Sequence, residues 1–110
     1  MKQLMKTLDI GHRNHHLDTA LSILETEVSD AIFGGRIHAI KVIHGHGKGA
    51  LRKAVRDWCD GQSGRFMAVI YGEDYDFFHK DSSEMRMSCG HPHDYDLGKK
   101  NRAVTYIWLQ

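Results

Sequence analysis

Apolar residues at Leu17, Ala20, Leu21, Leu24, Val28, Ala31 and Ile32 recur at spacings of three and four, the period of a helix that buries one stripe. The pattern stops at Gly34-Gly35, a pair suited to the left-handed backbone that closes helices. Before it, Lys6 to Ile10 reads as a short strand carrying Leu8 and Ile10, broken by Gly11. Ile37 to Ile43 sets Ile37, Ala39 and Ile43 against Ile40 and Val42, and apolar residues on both faces predict an interior parallel strand. Ala50, Leu51, Ala54, Val55 and Trp58 mark one face of a second helix, with Arg52, Lys53, Arg56 and Asp57 turned away from it and Gly61 to Gly64 as its stop. Arg65 to Tyr71 supplies a third strand. Ala103 to Leu109 supplies a fourth, alternating Val104, Tyr106 and Trp108 with Ala103, Thr105 and Ile107.

The order βαβαββ predicts an α/β fold: a two-layer sandwich in which two helices pack on a small four-stranded mixed sheet. A chain of 110 residues holds one domain, spanning 1–110. Between the third and fourth strands, residues 72–102 have no clear period and far exceed the usual connection of about 4 to 6 residues. A short helix around Ser82 to Met87 is the one element that suggests itself there. This acidic insertion, with aromatics at Tyr75, Phe77, Phe78 and Tyr95, reads as a solvated loop. Its charge also suits a flap competing for the basic face, and its aromatics suit stacking on unpaired bases.

With 41% hydrophobic and 26% charged residues, the composition is that of an ordinary globular domain. Fifteen basic residues against fourteen acidic give a net charge of +1, a total that by itself argues against a polyanionic partner. Divided along the chain, it reads differently. Ala31 to Arg56 holds Arg36, Lys41, Lys48, Arg52, Lys53 and Arg56 with no acid, a local +6, while Glu73 to Asp96 sets seven acids against Lys80 and Arg86, a local −5. The near-neutral total is a cancellation, and salt-sensitive binding on one face is expected. Cys59 and Cys89 are too few for a disulfide framework, and no charged leader followed by an apolar stretch opens the sequence. A cytoplasmic setting is expected. No apolar run approaches the roughly 18 residues of a membrane span, so no membrane partner is expected.

The densest chemical signal is His44-Gly45-His46-Gly47-Lys48-Gly49-Ala50-Leu51-Arg52, between the central strand and the second helix. Alternating glycines let the backbone turn tightly and aim successive amides into one concavity, and the helix adds its unsatisfied N–H groups and positive dipole end. That is a phosphate-binding arrangement. Lys48 and Arg52 supply full charges beside it, with Arg56 one turn further on; an ordinary tight turn before a solvated helix face uses the same residues. A Walker loop needs Ser or Thr after its lysine, where Gly49 stands here. The spacing of Gly45, Gly47 and Gly49 also departs from the dinucleotide fingerprint. ATP, GTP and NAD are therefore disfavoured; no cofactor is required, and a divalent metal remains open.

Nine histidines are many for this length. Cys89-Gly90-His91-Pro92-His93, with His79 and Asp94 nearby, offers metal ligands but falls short of the four that a structural zinc site gathers, so no metal site is assigned. His15 and His16 start the first helix and diverge around it, and His38 is expected within the strand, packed on the sheet.

The run His-Gly-x-Gly-x-Gly-x-Leu-Arg at His44 to Arg52, followed by Lys53-Ala54-Val55-Arg56-Asp57-Trp58, resembles the signature of the Smr (small MutS-related) domain, which occurs alone in short proteins and at the C-terminus of a MutS paralogue. Leu8-Asp9-Ile10 looks like that family's opening strand, Leu17 to Leu24 its first helix and Val104 to Leu109 its last strand. The resemblance implies a fold similar to the C-terminal domain of translation initiation factor three, binding to DNA or RNA, and endonuclease activity. Two features depart from the family pattern. The first motif, Leu-Asp-x-His in the family, has His12 one place late behind Gly11, and Lys99-Lys100-Asn101-Arg102 stands in place of the glycine-rich segment before the last strand.

If the first two strands are parallel neighbours, Asp9, His12 and the glycine loop emerge on one sheet edge, where open α/β sheets place ligands. Histidines on opposite sides of a phosphodiester can activate the attacking oxygen and protonate the leaving one, while backbone amides and cations stabilise phosphoryl charge. The candidate catalytic residues are thus His12 and His46 as the acid/base pair, Asp9 to orient one of them, and His44 in reserve. Gly45, Gly47, Lys48, Gly49, Arg52 and Arg56 are the candidate nucleic-acid contacts. The alternative is a DNA-, RNA- or ribosome-binding module without catalysis; a His12 ring within reach of the glycine loop favours the enzyme, and a ring turned away favours the module.

Overall fold

The computed structural model describes residues 3–12 and 15–110. Its elements are β1 (Met5–Asp9), α1 (Leu17–Gly34), β2 (Ala39–Ile43), α2 (Ala50–Asp60), β3 (Ala68–Tyr71), a 3-10 turn (Gly72–Asp74), α3 (Lys80–Ser88) and β4 (Val104–Trp108). In α1 the buried stripe is Ala20, Leu24, Val28 and Ala31, while Leu17 and Ile32 at its margins stay exposed. Gly35 closes the helix at φ 71°, its N–H donating to Ala31 O, a backbone conformation that costs glycine nothing.

The strands form one mixed sheet in the order β1–β2–β4–β3. β1 runs parallel to β2 with Met5 opposite Ala39 and Asp9 opposite Ile43, and β4 lies antiparallel between β2 and β3. Alternation along the strands divides the core in two. Ile40, Val42 and Ile107 face Leu24 and Val28 of α1 and Val55 and Cys59 of α2. Ala39, Ile70, Val104, Tyr106 and Trp108 face the other way, against Tyr75, Met85 and Cys89.

That second face is where the sequence expectation changes. Residues 72–102 are not a solvated loop but a cover on the sheet face opposite α1 and α2, and α3 raises the helix count from two to three. The helix forms because Ser82, Met85, Arg86 and Cys89 are all buried, at the spacing that places them on one helical face. Tyr75 stacks on Tyr106 with ring centroids 4.0 Å apart. Asp94 and Asp96 receive Lys41 Nζ at 2.7 and 2.6 Å, and Tyr106 Oη donates to Asp94 at 2.7 Å. Burial works against the Asp94 charge, yet the hydrogen bonds from Lys41 and Tyr106 overcome it and hold the carboxyl below its ordinary pKa. Asp94 and Asp96 thus pin the segment to the sheet rather than reaching over the basic face.

β3 begins at Ala68, three residues later than expected. Arg65 belongs to the preceding turn, its N–H donating to Gln62 O at 2.9 Å and its guanidinium to Glu25 of α1 at 3.0 and 2.7 Å. Among the described residues no helix is long and apolar enough to cross a membrane.

Candidate functional site

Because β1 and β2 are parallel neighbours, Asp9 and Ile43 end at the same sheet edge. Ile10 N–H donates to Ile43 O at 2.9 Å, and the next residue presses against the loop: a Cβ on Gly11 would lie 2.8 Å from the His44 carbonyl carbon and 2.9 Å from its oxygen. Only glycine fits there. His44 and Gly45 both donate their N–H to Ala103 O, at 2.9 and 3.1 Å. Gly45, Gly47 and Gly49 then take φ of 81°, 37° and 84°, reversing the chain within five residues so that Gly49 is the N-cap of α2.

A cleft of about 230 Å³ opens above this loop, lined by Gly45 to Arg52 on one side and by Gly11, His15 and Leu17 on the other. Two helices begin at it. The N-caps, His16 for α1 and Gly49 for α2, make no side-chain capping bond, and α2 has no acid in its first turn. First-turn N–H groups of both helices are left for an anion or water, and the positive end of the α2 dipole is uncompensated, whereas Asp18 stands in the first turn of α1. Lys48 stands exposed on the loop. The Arg52 guanidinium folds back over Gly49, 2.7 Å from where a Cβ there would sit.

His44 is buried beneath the cleft. Its Nε2 is 2.9 Å from Thr105 Oγ1 and its Nδ1 is 3.4 Å from Gly45 O. Burial, opposed by the Gly45 hydrogen bond and reinforced by the positive charges of Arg56 and Arg52, pushes its pKa down to about 4. The ring is therefore neutral near pH 7. A carbonyl can only accept, so Nδ1 donates to Gly45 O and the Thr105 hydroxyl donates to Nε2. With both nitrogens engaged, His44 fixes the loop from below and has no proton to exchange with a ligand in the cleft.

Arg56 corrects the sequence reading most sharply. Expected on the exposed face of α2 as a nucleic-acid contact, it is buried. Its guanidinium donates to Thr105 Oγ1 at 3.0 Å, to Val104 O at 3.2 Å and to both Glu73 oxygens at 3.0 and 2.7 Å, and it lies 4.0 Å from the Tyr71 ring centroid. The hydrogen bonds from Arg56 hold the Glu73 carboxyl below its ordinary pKa. The guanidinium is withdrawn from any surface ligand, because four of its five N–H donors are engaged by Thr105, Val104 and Glu73.

Asp9 and His12 come together at the sheet edge: Asp9 Oδ2 pairs with His12 Nδ1, and Asp9 Oδ1 accepts the Gly11 N–H at 3.0 Å. The His12 side chain is 80% exposed. Among the described residues lining the cleft are His15, His46 and, at its floor, His44, whereas His12 is not among them. Sequence reasoning missed His15: it placed His15 and His16 at the start of the first helix, diverging around it, whereas α1 begins at Leu17. Two of the other histidines have structural partners. His38 precedes β2 and bonds Ser88 Oγ at 2.8 Å, and His79 caps α3 by accepting the Ser82 N–H. The Cys89 thiol is buried, and burial pushes its pKa up to about 11. Among the described residues no three His, Cys, Asp or Glu side chains gather as a metal-binding group.

Comparisons with known proteins bear on the family and the fold. Endonuclease MutS2 of Brevibacillus brevis is 31% identical over 51 residues, which cover 46% of this chain and 6% of that protein, so the chain spans a small part of that relative's length. The crystal structure of the Smr domain of Thermus thermophilus MutS2 has the same fold, with a TM-score of 0.62 at 20% identity, covering 96% of this chain and 98% of that one. The Smr domain family model matches residues 10–72, from the residue after β1 through the glycine loop, α2 and β3 to the first residue of the acidic cover. With more than half its length matched and the sheet-edge loop built as described, the chain belongs to the Smr domain family.

Proposed function

We propose that this domain binds DNA or RNA through the cleft at the sheet edge and cleaves phosphodiester bonds there. The observation that carries the reading is the convergence of a three-glycine loop, two helix N-termini, Lys48, Arg52 and His46 on one cleft. Backbone amides of Gly47 and Gly49, with Arg52 and Lys48, hold the phosphoryl oxygens and stabilise charge developing on them. A cleft histidine, His46, takes or gives a proton at the attacking or leaving oxygen. In RNA the attacking oxygen is the adjacent 2′-hydroxyl; in DNA it is water. The similarity to the Brevibacillus endonuclease MutS2 supports the same reaction class.

A second reading, binding without cleavage, draws on one observation: the His12 ring is held by Asp9 outside the cleft lining. Both are tested by incubating supercoiled plasmid and structured RNA with the parental chain and with His12→Ala, His46→Ala and Lys48→Ala, with and without chelator. Cleavage lost in His46→Ala and Lys48→Ala is expected. Cleavage unchanged in all three variants refutes the mechanism, and tight binding without cleavage by the parental chain establishes the second reading. The chelator arm decides whether a divalent ion takes part.

A further inference from the structure

The reaction read above needs two proton-transfer groups, one on each side of the phosphorus, and the glycine loop supplies one of them. The other must come from a different wall of the same cleft. Among the described residues, that wall is Gly11, His15 and Leu17. His15 is half-buried and immediately precedes the α1 N-cap His16, so the start of a rigid helix fixes its backbone. His12, three residues earlier, has Nδ1 tied to Asp9 and a side chain open to solvent.

We propose that His15 is the second proton-transfer residue, acting opposite His46 on a phosphodiester seated in the glycine loop. The inference rests on the endonuclease reading. One imidazole, neutral, takes the proton of the attacking water or 2′-hydroxyl as its oxygen forms a bond to phosphorus. The bond from phosphorus to the leaving sugar oxygen breaks, and that oxygen takes a proton from the other imidazole, which starts as the imidazolium. Protons and electron pairs balance without any further reactant, and proton exchange with water resets the pair. Arg52 and the loop amides hold the non-bridging oxygens throughout.

The test is single-turnover cleavage of an end-labelled RNA hairpin and of supercoiled plasmid by the full chain and by His15→Ala, His15→Gln, His12→Ala and His46→Ala, with affinity for each substrate measured in parallel. Both His15 variants are expected to slow cleavage by about 100-fold or more while affinity holds. One limb of the pH–rate profile should disappear, and added imidazole should restore part of the rate to His15→Ala. His15 variants cleaving at the parental rate overturn the proposal, as does a loss of rate matched by an equal loss of affinity and not rescued by imidazole. A parental chain that cleaves neither substrate overturns the endonuclease reading itself, and the role of His15 with it; active His15 variants overturn the role alone.

Discussion

Arg56→Met keeps the aliphatic bulk of the side chain and deletes the guanidinium, and its consequences follow from who loses a partner. Glu73 is 39% exposed, so its carboxylate rehydrates and the broken ion pair costs below about 1 kcal/mol. Thr105 is fully buried and Val104 O meets the guanidinium inside the fold. Leaving such acceptors short of a donor costs about 1–3 kcal/mol each, softened for Thr105 by its bond to His44. The sum is about 2–4 kcal/mol, near the lower edge of what breaking a buried pair costs.

For a domain of this size that corresponds to a fall in Tm of roughly 10–20 °C, or about 1–2 M in the urea midpoint at a slope of roughly 2 kcal/mol per molar. The assay is urea unfolding followed through the fluorescence of Trp58 and Trp108, with Lys48→Met alongside. Lys48 is exposed, so its replacement should change stability by no more than about 0.5 kcal/mol while lowering the salt dependence of nucleic-acid binding by about one phosphate contact. An Arg56→Met chain with an unchanged midpoint and a reduced salt dependence would refute the reasoning, for it would make Arg56 a surface phosphate ligand after all.

Substitution of three glycines by alanine should follow the space around each. At Gly72 a Cβ would meet Asn101 O at 1.9 Å and Val104 O at 2.8 Å, at Gly11 the His44 carbonyl at 2.8 Å, and at Gly34 nothing within 4 Å. Thermal melts should rank Gly72→Ala as most damaging and Gly11→Ala next, at about 1–3 kcal/mol or more for overpacking against backbone, with Gly34→Ala neutral or stabilising; a Gly11→Ala chain as stable as its parent would refute the close approach of β1 to the loop. His44 sets an acid-sensitive step. Its pKa falls from 6.5 to about 4 on folding, so in that window the unfolded chain binds a proton the folded chain refuses. Stability is therefore unimpaired by this group above pH 6.5 and is lost as pH falls toward 4, by roughly 3 kcal/mol in all. His44→Gln should flatten the urea midpoint between pH 6.5 and 5, and an unchanged slope there would show that the ring is not held neutral.

What the sequence discloses and what it hides share one cause. A helix is legible when its buried positions are apolar, as along Ala20, Leu24, Val28 and Ala31. The same spacing runs through Ser82, Met85, Arg86 and Cys89 in α3, but two of those four side chains are polar, so no apolar stripe shows. Arg56 escaped for the same reason: it shares the buried side of α2 with Val55 and Cys59, yet its charge places it outside on any hydropathy reading. Its partners Glu73, Thr105 and Val104 lie 17 to 49 residues away along the chain, where no local pattern reaches. The glycine loop was readable because its chemistry is local, three left-handed glycines and a helix start within one short run. His15 was not, because its place in the cleft depends on where α1 starts relative to a loop nearly thirty residues later.

The local +6 between Ala31 and Arg56 therefore overstates what a polyanion meets. Lys41 is neutralised by Asp94 and Asp96 on the far sheet face, Arg56 by Glu73 in the interior, and Lys53 by Asp57 at the surface. Among the described residues Arg36, Lys48 and Arg52 form no ion pair; Lys48 and Arg52 line the cleft, Arg36 follows the C-terminal end of α1 outside that lining, and Lys53 can join the cleft pair by releasing its exposed partner. Two or three phosphate contacts imply that log affinity falls with log salt at a slope of about −2 to −3, shallower than the roughly −5 that all six cations would give. Titrations of a DNA duplex and an RNA hairpin between low and moderate salt measure that slope directly. A value near −5 or steeper would mean that Lys41 and Arg56 leave their carboxylates to reach phosphate, and that the acidic cover competes with nucleic acid instead of serving only to hold the sheet.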